Sequence, residues 1–272
     1  MTYGAQIMNE TLSDIFKDTR CFILDMDGTI YLSNRLFDFT TAFLDGLDRR
    51  GRDYYFFTNN SSKNSGFYIN KLKALGIAVD RRRLMTANDV IISHLRRHYA
   101  GLRIYVAGTE LLKAEFAEAG LQLADDDGAD LAVLGFDTEL VYEKLRICCD
   151  MARAGKPVLG VNPDFNCPVE NGYIPDCGSI ARLIEASTGV LPKFFGKPSR
   201  EALDYVIEKT GYPEEALCFV GDRLYTDIAI AHERKCKSVL VLTGETKRDD
   251  LLSSAFKPSL VVESASDIIP LI

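Results

Sequence analysis

The sequence predicts an α/β fold: a parallel sheet built from both ends of the chain, with a second α/β unit inserted between them. Three observations predict it. Short apolar runs alternate with helical patterns along the whole chain. Most of the runs are continuously apolar rather than alternating, as in strands covered on both faces of a parallel sheet. The chain has 272 residues, enough for two domains at roughly 150 residues each.

The elements follow in order. Strand-length apolar runs stand at Cys21–Leu24, Tyr54–Phe57, Ile104–Ala107, Leu131–Leu134, Val158–Val161, Leu217–Val220, Val239–Leu242 and Leu260–Val262. Between the first two, Phe39, Phe43, Leu44 and Leu47 share one helical face, and Gly51 can close that helix. Gly76, Gly120, Gly155 and Gly211 stand at the ends of similar patterns. Arg81–Arg83 is a short basic run between two helices, and Asn162–Ser179 is rich in Asn, Pro, Gly and Asp. These two places suit the two chain crossings into an insert. The expected division is a core of 1–82 with 181–272 and an inserted domain of 83–180.

Composition narrows the function classes. Apolar residues make up 47% and charged residues 26%, the balance of a globular chain rather than a disordered or collagen-like one. The net charge is −7, which disfavours nucleic acid and anionic membranes as general partners. No apolar run approaches the roughly 18 residues of a membrane span. The polar, mixed-charge stretch Met1–Lys17 resembles neither a secretory signal nor a transit peptide. Seven cysteines without a C-x-x-C spacing read as reduced thiols of a cytoplasmic protein.

Four motifs carry the chemistry, and each follows an apolar run. D-M-D-G-T-I (Asp25–Ile30) leaves the first, so Asp25 and Asp27 can point into one small volume at a strand's carboxyl end, where ligands bind in parallel α/β sheets. Asp-Gly is also a common turn pair. T-N-N-S-S (Thr58–Ser62) offers a hydroxyl and main-chain N–H groups at a strand end, which suit an anion but also suit ordinary helix capping. Gly196–Lys197–Pro198 fixes one lysine ahead of a helix, as a compact charge for a phosphate or as a surface lysine. G-D-R-L-Y-T-D (Gly221–Asp227) supplies Asp222 and Asp227, hard oxygen ligands suited to Mg2+ or a turn with a capping Asp.

Taken as an ordered set, these motifs resemble those of the haloacid dehalogenase superfamily, over about residues 20–80 and 184–265. Spacing narrows the resemblance. Asp27 and Thr58 are 31 positions apart, which leaves no room for a large insert there. Thr58 and Lys197 are 139 apart, which leaves room for a cap of about 100 residues. This placement, with Asn162–Pro163–Asp164 and Pro175–Ser179, looks like the NagD-like or para-nitrophenyl phosphatase branch.

The resemblance implies a Rossmann-like core with an α/β cap domain and a Mg2+-dependent phosphomonoesterase acting on small phosphorylated metabolites such as sugar phosphates or nucleoside monophosphates. Asp25 would form an aspartyl-phosphate, and Asp27 would act as acid and then base. Asp25, the Asp27 carbonyl and Asp222 would hold Mg2+, with Asp227 ordering its surroundings. Thr58, Asn59 and Lys197 would hold phosphoryl oxygens. Asn162, Asp164 and Asp176 would lie at the substrate lip, near the junction of cap and core. An exposed cap surface is compatible with a homodimer. Two rivals remain: a phosphotransferase using the same intermediate, and a phosphometabolite-binding regulatory module with vestigial chemistry.

Two departures from the branch stand out. Lys235 replaces a usual glycine, and a left-handed residue there would cost about 1 kcal/mol. Asp176 also replaces a usual glycine. Other features read as structural: His94 and His98 as a solvated helix face, Asp125–Asp127 as an exposed loop, and Arg81–Arg83 with Arg96–Arg97 as solvated charge. Cys167 and Cys177, on either side of Glu170-Asn171-Gly172, read as unpaired thiols near the substrate entrance.

Overall fold

The computed structural model describes residues 14–169 and 172–272. Most of Met1–Lys17, and the Glu170-Asn171 pair, therefore lie outside the described residues. The chain divides into two compact units. One joins the residues up to Phe56 with Thr210–Ile272; the other is Phe57–Lys209.

The first unit opens with β1 (Cys21–Leu24), the small antiparallel pair β2 (Tyr31–Leu32) and β3 (Arg35–Leu36), helix α1 (Thr40–Arg49) and β4 (Asp53–Thr58), inside which the division falls. All four residues of β1 are buried, as its unbroken apolar run requires. Helix α1 buries Phe43, Leu44 and Leu47, the face the spacing predicts. Gly51 then ends it with φ +63°, a conformation that costs a side-chain-bearing residue more than glycine.

The second unit follows without interruption. It contains α2 (Ser65–Ala74), β5 (Leu84–Thr86), α3 (Ala87–His98), β6 (Arg103–Ala107), α4 (Glu110–Glu118) and β7 (Gln122–Ala124). It continues through β8 (Leu131–Leu134), α5 (Tyr142–Arg153), β9 (Val158–Gly160), β10 (Asn166–Val169), β11 (Gly172–Pro175), α6 (Cys177–Thr188), β12 (Lys193–Phe194) and α7 (Arg200–Thr210). Its sheet runs β12-β9-β8-β6-β7 with every pair parallel. Leu131–Leu134 are all buried, and Ala132 and Leu134 share one core with Ile147, Cys148, Met151, Ile180 and Ile184 from α5 and α6. Strands β10 and β11 form a separate antiparallel hairpin. Helix α3 starts with a reciprocal cap: Thr86 Oγ1 receives the Asp89 N–H while the Asp89 carboxylate receives the Thr86 N–H.

The chain then returns to the first unit with β13 (Leu217–Gly221), β14 (Lys237–Val241), α8 (Asp250–Ser253) and β15 (Leu260–Val262). The strand order here is β15-β14-β13-β1-β4, again parallel. Leu24 lies opposite both Val220 and Phe56, so β1 and β13 end level with each other. That register brings the motifs that follow β1 and β13 to one edge. The left-handed residue after the fourth motif is Glu233, at φ +55°, and not Lys235, whose N–H is held by Glu214. Among the described residues no helix is long and apolar enough to cross a membrane.

Candidate active site

In the first unit, the ends of β1 and β13 bring three carboxylates together. Asp25, Asp222 and Asp227 each offer an oxygen within 4.8 Å of the others. The Asp25 N–H still pairs with the Val220 carbonyl at 2.8 Å, so Asp25 is the first residue past β1 and its main chain is fixed by the neighbouring strand. The chain then turns sharply. Gly28 has φ +88°, and a Cβ on it would lie 2.6 Å from the Asp222 carboxylate. The Asp-Gly pair is therefore a turn and also the gap through which Asp222 approaches.

Asp222 is fully buried, with the Glu245 N–H on Oδ2 at 2.7 Å. Its Oδ1 is buried with no hydrogen-bond partner. A buried acceptor left unmade costs about 1–3 kcal/mol, more when charged. Burial pushes the Asp222 carboxyl up to about 7; Arg223 opposes this and Asp227 adds to it. Asp227 is held by the Arg223 N–H at 3.1 Å, across a single π-type turn from Leu224 to Ile228. Such an arrangement fits a small hard cation: three carboxylates that each offer an oxygen, and a buried oxygen of Asp222 lacking a donor.

The loop after β14 completes this region, and the motif reading did not include it. Thr243 Oγ1 donates to the Gly28 carbonyl at 2.6 Å, and a Cβ on Gly244 would sit 2.0 Å from Asp222 Oδ2. Thr-Gly-Glu has no strong signature alone. Its position after the Val239–Leu242 run is the signal that could have found it.

In the second unit, Asn59, Asn162, Asp164, Asp176 and Lys197 form one buried hydrogen-bond network. Asn59 Oδ1 accepts the Lys197 main-chain N–H at 2.8 Å. Asn59 Nδ2 donates to the Lys197 carbonyl at 2.9 Å and to Asp164 Oδ2 at 2.8 Å. Asn162 Nδ2 donates to Asp164 Oδ2 at 2.9 Å and to Asp176 Oδ1 at 3.0 Å. Lys197 Nζ donates to the Phe57 carbonyl at 2.8 Å and lies over the Phe57 ring. Thr58 Oγ1 receives the Asn60 N–H at 3.2 Å, a local turn that shapes the loop after β4.

Asp176 caps α6 through the Cys177 N–H, which explains a carboxylate at that position. Ser61, not singled out from the sequence, links the network to the end of β8: its Oγ donates to Asn162 Oδ1 at 2.6 Å and receives the Phe136 N–H at 2.7 Å.

The residues set aside in the sequence have local roles. His94 packs against His98 and Phe195, with ring centroids 4.4 Å away in each case. Asp125–Asp127 lie in an exposed turn. Arg81 pairs with Asp89, Arg82 with Asp80 and Arg97 with Glu208, while Arg96 binds the Ala119 carbonyl. None of the seven cysteines is in a disulfide, and Cys177 Sγ contacts the Leu134 carbonyl.

Known proteins are similar to this chain in sequence and fold. A family model described as haloacid dehalogenase-like hydrolase matches residues 22–122, and a related HAD-hydrolase-like model matches 194–268. The 5'-nucleotidase YutF of Bacillus subtilis is 30% identical over 256 residues, covering 94% of this chain and 100% of that one. An acid sugar phosphatase of Staphylococcus aureus is 28% identical, covering 93% and 98%. The crystal structure of a 4-nitrophenylphosphatase from Thermotoga maritima is 38% identical, with a TM-score of 0.89 over 96% of this chain and 99% of that one.

Proposed function

The chain belongs to the haloacid dehalogenase-like hydrolases, in their NagD-like branch, and is a phosphoric monoester hydrolase; we propose that it is Mg2+-dependent and works through an aspartyl-phosphate on Asp25. The observation that carries the proposal is the carboxylate group of Asp25, Asp222 and Asp227, with a buried oxygen of Asp222 lacking a donor.

Asp25, the Asp27 carbonyl and Asp222 would hold the cation, with Asp227 in the same cluster ordering its surroundings. When bound, it would offset the charge that keeps a carboxylate away from an anionic phosphate. The Asp25 carboxylate attacks phosphorus, and the bond from phosphorus to the leaving oxygen breaks. Asp27 gives that oxygen a proton, then takes one from the water that attacks the aspartyl-phosphate; the bond from phosphorus to the Asp25 oxygen breaks, which releases inorganic phosphate and restores the carboxylate. Thr58, the main chain at Asn59 and the Lys197 ammonium hold the non-bridging oxygens, where donors and positive charge stabilise the transferring group.

The substrates are small phosphorylated metabolites. Names of relatives, a nucleotidase and a sugar phosphatase, support nucleoside monophosphates and sugar phosphates as the first compounds to try. The inserted segment 83–180 serves as the cap that selects the leaving group. Seven cysteines without a C-x-x-C spacing support a cytoplasmic setting.

The test is phosphate release over a panel of both classes, with and without Mg2+. Release that depends on Mg2+ and needs no acceptor other than water supports the proposal. Release unchanged by chelation would overturn the metal assignment.

A further inference from the structure

The Asn59 side chain has no donor left for a phosphate. A carboxamide carries two N–H donors and one carbonyl acceptor. Both Asn59 donors are engaged, one by Asp164 Oδ2 at 2.8 Å and one by the Lys197 carbonyl at 2.9 Å. Its carbonyl receives the Lys197 N–H at 2.8 Å. A phosphoryl oxygen needs a donor, and this amide could supply one only by releasing a bond it already makes.

We infer that Asn59 is a positioning residue, whose amide clamps the N–H and the C=O of Lys197 so that the ammonium is held in place, and that Asp164 fixes which way the amide faces. The inference rests on reading Lys197 as the lysine that holds the phosphoryl group. The geometry supports each part. Turned over, the Asn59 carbonyl would face the Asp164 carboxylate and the Lys197 carbonyl, two acceptors with no hydrogen to share. Asp164 therefore selects the one orientation that satisfies Lys197.

Asp164 is itself fixed by Asn162 at 2.9 Å, and Asn162 is fixed by Asp176 and Ser61. Gly196 belongs to the same device, because a Cβ there would lie 2.7 Å from Asn59 Oδ1 and push the amide off the Lys197 peptide. The other end of Lys197 is fixed by the Phe57 carbonyl at 2.8 Å. Asn59, Asn162, Asp164, Asp176 and Lys197 are all buried, so water does not compete for these bonds.

The test is a double-mutant cycle on 4-nitrophenyl phosphate with Mg2+: Asn59→Ala, Lys197→Ala and the two combined, each checked for fold by circular dichroism. Asn59→Ala is expected to lower kcat about 10- to 100-fold with little change in KM. Added to Lys197→Ala, it is expected to lower kcat by less than about 3-fold, because the group it positions is gone. An equal loss in both backgrounds overturns the inference. A Lys197→Ala enzyme with wild-type kcat/KM overturns the phosphate-site reading beneath it, which is a different result.

Asp164 supplies the second arm and keeps the test open if Asn59→Ala fails to fold. Asp164→Ala is expected to reproduce the loss in kcat. Asp164→Asn, whose carbonyl can still take both amide donors, is expected to restore it to within about 3-fold of wild type. A wild-type kcat in Asp164→Ala overturns the inference.

Discussion

The carboxylate of Asp222 takes the Glu245 main-chain N–H on one oxygen and keeps the other buried without a donor. Its charge is therefore costly to bury until something positive arrives. Burial raises its pKa from 3.8 to about 7, so between those values the folded chain binds a proton that the unfolded chain has released. The sign follows: metal-free stability falls as pH rises through that window and levels off above it. The loss is on the order of 4 kcal/mol at most. Melting with EDTA from pH 4.5 to 8 should show this decline in the wild type and a much flatter curve in Asp222→Asn. Mg2+ at pH 8 should raise the wild-type Tm and leave that of Asp222→Asn unchanged.

Asp25→Asn keeps the shape of the side chain and removes the carboxylate proposed as the nucleophile. Turnover should drop by at least about 10³-fold, or about 4 kcal/mol in the barrier, with the fold retained. Phosphate-release kinetics beside a circular dichroism spectrum check both halves. A variant that kept wild-type Mg2+-dependent turnover would remove Asp25 from its assigned role.

Gly28→Ala tests how closely two strand ends approach. The new methyl group would meet the Asp222 carboxylate at 2.6 Å, on a backbone at φ +88°. The backbone term alone costs about 1 kcal/mol. A shift of about 1 Å in Asp222 can cost about 10²-fold in rate. The expected result is a large fall in kcat with a small fall in Tm; the reverse pattern would place Gly28 in folding rather than in the site.

Thr86→Ala is the control. It removes the side-chain half of the cap on α3, worth about 1 kcal/mol, and should lower Tm by roughly 2–4 °C. Activity at 25 °C should stay at the wild-type level.

The sequence carried the large elements because their signals are local. Each of the eight apolar runs meets a strand, and Gly51, Gly76, Gly120, Gly155 and Gly211 all have positive φ. Strands β10 and β11 were hidden for a physical reason: their residues are exposed or half-buried, so they show no apolar run. Strands β2, β3 and β12 are two residues long, below any periodicity. In the site, Asp25, Asp222 and Asp227 were legible as acids at strand ends. The work of Asn59 was not, because a T-N-N-S-S string does not say which amide proton meets a carboxylate 105 positions later.

The first unit draws on both ends of the chain, and that fixes when its cation site can exist. A ribosome delivers Asp25 early, but Asp222 emerges only after the whole of Phe57–Lys209 has been made. During synthesis β1 lacks its neighbour β13, while the continuous second unit already has all of its own strands. A message cut short before Gly221 yields a polypeptide that carries Asp25 without Asp222 or Asp227, so the carboxylate cluster is the last part of this unit to be assembled.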